Sequence, residues 1–462
     1  MSEVVSYNRE GNIGVITVNS PPVNALGQAV RSGLLAALEQ GQKDTEAKAL
    51  LLVCEGRTFI AGADIREFGK PMQEPTLPTL VNTFENSDKP LVAAIHGTAL
   101  GGGLETALSC HYRVAVSSAK VGLPEVKLGL LPGAGGTQRL PRLTGAQKAL
   151  EMITTGEFVG ANDALALGIL DAVEDGDDIR AVGMAYAQKV VDEGKPVRRV
   201  RDITDKIEAD KGSDVFDQFR DELEKRARGL FSPFKCVDAV EAAFNLPFDE
   251  GMKRERELFM ECMESPQRAG LIHSFFGERE VSKVKGLPKD TPVRDVKSVG
   301  IIGAGTMGGG IAMNFVNVGI PVTIVEVKQE ALDKGLAIIR RNYESSAKKG
   351  KLTQEQVEQR MALITPSLTY DDFRDVDLVI EAVFENMAIK KEIFAKLDKV
   401  CKPGAILASN TSTLDIDEIA SATKRPEDVV GMHFFSPANV MKLLENVRGS
   451  KTSDEVKATV MA

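Results

Sequence analysis

The chain has 462 residues, of which 43% are hydrophobic, 27% charged and 5% aromatic, and its net charge is −9. At about 150 residues per domain this is chain enough for two to four globular domains, and the acidic balance argues against a general binder of nucleic acid or acidic membranes. Its five cysteines are scattered without a CxxC pair and read as reduced thiols, and its four histidines lack metal-ligand spacing, so no metal is expected.

The opening MSEVVSYNRE is polar and acidic, without the basic and apolar regions of a secretory signal. GNIGVITV (11–18), ALLLVCEG (49–56) and PLVAAIHG (90–97) read as strands, short apolar runs bounded by Gly, Asn or Pro, and SGLLAALEQGQK (32–43) has helical spacing. This alternation over 1–190 predicts βα units around a largely parallel, buried sheet. Over 191–280 charge rises, glycines thin out and apolar residues recur every three or four positions, which predicts a block of helices whose charged stripes are solvated faces. Residues 281–297 are Lys- and Pro-rich and read as a linker. At 298 the α/β pattern restarts and runs to 462. SVGIIGAG is a strand entering a glycine turn, TMGGGIAMNFVNVG a helix ending at Gly319, and PVTIVEV (321–327), DLVIEAV (377–383) and AILASN (405–410) are further strands. No apolar run reaches the ~20 residues that span a bilayer, and the closing VKATVMA carries no SKL-type address. The expectation is a cytoplasmic protein without membrane insertion, peroxisomal only if further C-terminal sequence carries a targeting signal.

Three segments of the first half belong together chemically: FIAGADI (59–65), HGTALGGGLE (96–105) and VGLPEVKLGLLPGAGGTQRL (121–140). A tight glycine turn at a helix start lets backbone N–H groups converge on one electropositive point suited to an oxyanion. Glu105 falls in the first turn of that helix, and Glu125 lies on another turn after a proline. Two carboxylates beside free N–H groups can run acid–base chemistry alpha to a thioester carbonyl. The plainer alternative is that glycine turns and helix-start carboxylates only stabilise an α/β fold.

Together with the early PPVNAL, these segments resemble the enoyl-CoA hydratase/isomerase (crotonase) family, in order, over 1–190. The resemblance implies a spiral of ββα turns and a coenzyme A thioester as substrate. It implies that the N–H groups of Ala63 and Gly102 form the oxyanion hole, with Ala61, Gly62, Asp64 and Ile65 beside the substrate. Glu105 and Glu125 match the two catalytic glutamates, which hold a water, add its OH to C3 and exchange a proton at C2. Having both favours hydration, while Glu125 alone could support a Δ3–Δ2 double-bond shift.

In the second half, Gly303-x-Gly305-x-x-Gly308 follows an apolar strand and opens a helix, as a dinucleotide fingerprint requires. Gly303 permits the turn, Gly305 the approach of a pyrophosphate, and Gly308 close helix–strand packing, with Thr306 and Met307 on the same turn. Glu326 ends the second strand, where a carboxylate accepts from a ribose 2′-OH and repels a 2′-phosphate, which favours NAD over NADP. Another nucleotide, or FAD, is the alternative. Within GMHFFSPANVMKLLE (431–445), a histidine paired with a carboxylate would be a tuned general base, here His433 with Glu445.

IIGAGTMGGGIA, IEAVFENMAIKKEIF (380–394), ASNTSTLDI (408–416) and GMHFFSPANVMKLLE together resemble the 3-hydroxyacyl-CoA dehydrogenase family. By that resemblance His433 takes the proton of the 3-hydroxyl, Glu445 orients it and Ser412 bonds the substrate oxygen. Glu385, Lys390 and Asn410 match cofactor-contacting positions. A hydratase domain, helices and a dehydrogenase Rossmann domain in this order are similar to the multifunctional enzymes of fatty acid β-oxidation, and SPQRAGLIHSFFGERE (265–280) resembles their connecting region. The short N-terminus is closer to their monomeric branch than to the one that pairs with a thiolase. Members of that family continue well beyond the position where this sequence stops, with helices that cap the dehydrogenase site. The resemblance therefore implies a C-terminally shortened chain in which hydration is intact and oxidation impaired. Hydratase/isomerase activity alone, or a CoA- and NAD-binding scaffold with inactive sites, are the alternatives.

Overall fold

The apolar runs become strands buried along nearly their whole length, as a sheet covered on both faces requires. They are seen in a computed structural model, which describes residues 4–67, 70–71 and 73–462; the first three residues of the polar opening stretch lie outside that range. The chain divides into two units, Met1–Glu280 and Val281–Ala462.

The first unit contains β1 Val5–Glu10, β2 Ile13–Val18, β3 Ala49–Cys54, β4 Leu91–Ile95, β5 Thr98–Leu100, β6 Tyr112–Val116, β7 Lys120–Gly122, β8 Val159–Gly160 and β9 Ala172–Glu174. Six of them form a sheet in the order β1-β2-β3-β4-β6-β9. The β1–β2 hairpin is antiparallel, with Val5 opposite Val18, and the remaining pairs are parallel. A second, small sheet has the order β5-β7-β8, and its first strand follows β4 directly in the chain. Helices Asp205–Asp210, Val215–Arg226, Ser232–Asn245 and Phe248–Glu264 add Ile207, Phe219, Val237, Val240 and Leu258 to the same core. Their charged stripes are mostly solvated, as expected, but Glu255 is a correction: it is 1% exposed, because backbone N–H groups satisfy its carboxylate inside the fold.

The second unit contains β10 Val299–Ile302, β11 Val322–Val325, β12 Ile364–Ser367, β13 Leu378–Glu381, β14 Ile406–Ser409, β15 Val429–Phe434 and β16 Leu444–Arg448, in the order β12-β11-β10-β13-β14-β15-β16. All pairs are parallel except β15–β16. The order reverses at β10, and in open α/β sheets a ligand crevice forms at such a reversal, outside the carboxyl ends of the strands. Both units are thus α/β. Among the described residues no helix is long and apolar enough to cross a membrane, and all five cysteines are buried free thiols.

Candidate functional site

In the first unit, β5 runs into Gly101, whose φ of 52° is left-handed, and helix Gly102–Ser109 begins at the next residue. A Cβ on Gly101 would lie 2.9 Å from Glu125 Oε1, so the missing side chain is what lets that carboxylate approach the turn. Ala63 comes to the same place by pairing its strand-like segment with Leu26, and a Cβ on Gly102 would lie 3.4 Å from Ala63 N. Ala63, Gly102, Glu105 and Glu125 all line one cavity of about 610 Å³, together with Asp64, Leu131 and Phe259. Of the other residues expected beside the substrate, Ala61 and Gly62 are tied into backbone pairing with Val23 and Leu26, and Ile65 opens a short 3-10 turn.

The two glutamates are held differently. Glu105 Oε1 accepts from Ala134 N at 2.7 Å and Gly136 N at 2.8 Å. Burial raises the pKa of its carboxyl, opposed by those two N–H groups and the Arg139 charge. Glu125 sits in the first turn of the 3-10 segment Pro124–Leu128, and its buried Oε2 has no partner. Burial first, and then the charge of Glu105, hold its carboxyl well above the usual range. Two neighbouring carboxyl groups, one fixed by amides and the other shifted further upward by burial and by its neighbour's charge, form the kind of pair that general acid–base chemistry uses. Two further charges escaped the sequence reading. Glu255 binds the same loop as Glu105, and Arg139, 0% exposed, donates to Glu85 at 2.6 Å and to Ala134 O.

In the second unit the fingerprint glycines are packed as their motif requires. Gly303 has φ 99°, and a Cβ on Gly308 would fall 1.8 Å from Gly303 O, so helix Thr306–Asn317 can lie this close to β10 only with glycine there. At Gly305 a Cβ meets nothing within 4 Å, which leaves open space at the helix N-terminus beside Thr306 and Met307. Glu326, immediately after β11, accepts from Ala304 N at 3.0 Å and so borders the glycine turn. An open helix start with a carboxylate at the end of the second strand fits the pyrophosphate and ribose of a dinucleotide.

The β15–β16 hairpin sets His433 opposite Glu445, and Nδ1 lies 2.8 Å from Glu445 Oε2. Asn410 anchors the adjacent residue, accepting from Phe434 N at 2.8 Å. Glu385 accepts from the Thr411 hydroxyl and from Ser412 N and Thr413 N. Partial burial pushes its carboxyl up, but these donors and Lys390 outweigh it and bring the pKa down to about 2. Ser412 itself is exposed, with its hydroxyl 3.3 Å from Glu385. Lys390, 1% exposed, spends its ammonium on Glu381 at 2.8 and 2.9 Å, with Glu385 at 3.4 Å. Glu381 went unread because it sits within the apolar run DLVIEAV, whose strand in fact ends at this residue.

These two sites define a chain that joins a thioester-type acid–base pocket to a dinucleotide fold with a His–Glu pair. The enoyl-CoA hydratase/isomerase family model matches residues 8–228, and the model of the 3-hydroxyacyl-CoA dehydrogenase NAD binding domain matches residues 298–462. The chain is 45% identical over 459 residues to the peroxisomal bifunctional enzyme of Danio rerio, covering 98% of this chain and 62% of that protein. It is 42% identical over 465 residues to the peroxisomal bifunctional enzyme of Homo sapiens (99% and 64%). It is 40% identical over 455 residues to the Arabidopsis thaliana peroxisomal fatty acid beta-oxidation multifunctional protein MFP2 (96% and 63%). The chain therefore spans less than two thirds of the length of these relatives.

Proposed function

We propose that the first unit hydrates trans-2-enoyl-CoA to (S)-3-hydroxyacyl-CoA and that the second oxidises this product to 3-ketoacyl-CoA with NAD. The observation that carries the reading is the pair Glu105 and Glu125, facing one cavity beside Ala63 and Gly102. The backbone N–H groups of Ala63 and Gly102 receive the thioester oxygen as negative charge develops on it. Glu105, fixed by two amides, orients the water and takes its proton as the OH adds to C3. Glu125, whose affinity for a proton is raised by burial, delivers a proton to C2. One water is consumed and one C–O and one C–H bond form. In the second unit Gly303, Gly305, Gly308 and Glu326 would hold NAD, which supplies a two-electron acceptor. There His433 accepts the proton of the 3-hydroxyl, Glu445 keeps the ring oriented through Nδ1, and Ser412 hydrogen-bonds the substrate oxygen. Lys390 and Asn410 act on cofactor and substrate through what they hold, Glu385 and the strand bearing His433.

In place of the cytoplasmic expectation, the compartment is read as peroxisomal, on the names of the three relatives. The test of the activity is loss of enoyl-thioester absorbance with crotonyl-CoA. Glu105→Gln and Glu125→Gln are each expected to lower turnover by about 10²–10⁴-fold with the fold intact. Near-full turnover in either variant removes that glutamate from the mechanism.

A further inference from the structure

We infer that Glu255 is a positioning residue of the hydration site, the second jaw of a clamp that fixes the loop on which Glu105 is seated. The inference rests on the hydratase reading above. Four successive backbone N–H groups are shared alternately between two carboxylates. Ala134 and Gly136 donate to Glu105 Oε1 at 2.7 and 2.8 Å; Gly135 donates to Glu255 Oε1 at 2.7 Å and Thr137 to Oε2 at 3.1 Å. The Thr137 hydroxyl adds a 2.5 Å bond to Glu255 Oε2 and accepts in turn from Gln138 Nε2 at 2.9 Å. Gly135, in the left-handed region at φ 96°, caps helix Gly136–Thr144, so the clamp closes on a helix start, where backbone N–H groups have no intrahelical acceptor.

Glu255 reaches this loop because its helix is pressed against it. Gly251, Glu255 and Phe259 recur every four residues and form one stripe of helix Phe248–Glu264. A Cβ on Gly251 would meet Gln138 Oε1 at 2.2 Å, and a Cβ on Gly133 would meet the Phe259 ring at 2.5 Å. Glu255 is not among the residues lining the cavity, whereas Arg256 and Phe259 are. Its route to the chemistry therefore runs through the loop and Glu105. The two carboxylates also sense each other: burial, and then the charge of Glu105, push Glu255 up to about 8. Glu255 lies beyond residue 228, outside the matched hydratase/isomerase segment, so the jaw comes from the region between the two matched domains.

Without Glu255, Gly135 N and Thr137 N lose their acceptors in a buried place, and the loop must shift to recover them. A displacement of about 1 Å at a catalytic group can cost on the order of 100-fold. The experiment uses the full chain carrying Glu255→Gln, Thr137→Val, Glu105→Gln, and the Glu105→Gln/Glu255→Gln double variant. With crotonyl-CoA, Glu255→Gln is expected to lower kcat about tenfold or more while KM stays within about twofold. In the Glu105→Gln background it should cost less than about twofold further, because it acts through Glu105. Peptide-level hydrogen exchange should rise over 134–137. Thr137→Val, which keeps Glu255, should show the same changes at smaller amplitude and decides the matter if Glu255→Gln does not fold. A lowered Tm with unchanged kcat, or losses that multiply in the double variant, would overturn the inference. If the wild-type chain shows no hydration, the hydratase reading fails by itself. Exchange over 134–137 needs no substrate, and in that case unchanged exchange in Glu255→Gln overturns the clamp.

Discussion

Glu125 illustrates what a buried carboxyl costs the fold around it. Burial raises the pKa of its carboxyl well above the ordinary value of 4.5 near which it ionises in the unfolded chain. Between that value and its raised folded pKa, the native state binds more protons than the unfolded state, so this residue lowers stability as pH rises. Below 4.5 both states are protonated and the penalty vanishes. Glu125→Gln, which leaves a neutral group of the same shape, is therefore expected to be more stable than wild type at pH 7–8 and equal to it near pH 4. Urea unfolding at the two pH values reads this, and a variant less stable at pH 8 would contradict it. A gain in stability coupled to a loss of turnover is the usual mark of a strained functional site.

Among the elements, helix Thr306–Asn317 depends on one atom-scale allowance. A methyl at position 308 would collide with a backbone carbonyl, Gly303 O, and backbone cannot yield as a flexible side chain does. Gly308→Ala is expected to cost several kcal/mol in the second unit, in the range of severe overpacking (about 1–3 kcal/mol or more), and to abolish NADH binding measured by fluorescence, with crotonyl-CoA hydration unchanged. This element was legible from sequence because each glycine of its fingerprint follows from a separate steric demand. The strands of the parallel sheets were legible as buried apolar runs. The β15–β16 hairpin was not: its register brings His433 to Glu445, but the intervening SPANVMK carries no turn signal that fixes a pairing. Glu255 was hidden for a different reason. In GMKRERELFMEC a clamped glutamate and a solvated one have the same local surroundings, and only Gly251, one turn earlier on the same face, hints at close packing there.

Across the whole molecule, the core of 1–280 and the two clusters of 281–462 share no residue. Calorimetry is expected to resolve two transitions. NADH at about 100 times its Kd should stabilise only one of them, by about 2.7 kcal/mol. NADPH at the same concentration should do less, because Glu326 stands at the end of β11, where a 2′-phosphate would meet its charge. Equal shifts with both nucleotides would remove that role from Glu326. The two activities should also differ in strength in these 462 residues. Glu445 is 52% exposed and His433 18%, so water reaches the pair from the Glu445 side. Orientation and water exclusion together supply up to about 7–11 kcal/mol when complete. NADH formation from (S)-3-hydroxybutyryl-CoA is expected to be at least about a hundredfold slower than hydration of crotonyl-CoA on the same preparation. Comparable rates would show that the second unit needs no further wall.

The distance along the chain between the two jaws of the loop clamp sets an order of events in time. Gly135 and Glu255 are 120 residues apart. At roughly 5–20 residues per second of synthesis, the loop and Glu105 leave the ribosome some 6–24 s before their second anchor. During that interval the nascent chain holds the glycine turn, both glutamates and most of the cavity lining, yet of four adjacent amides only Ala134 N and Gly136 N have their carboxylate. On the proposed clamp, the loop gains its second anchor only with translation of a helix that lies beyond the matched hydratase/isomerase segment, and a gene cut at residue 228 would encode Glu105 and Glu125 without it.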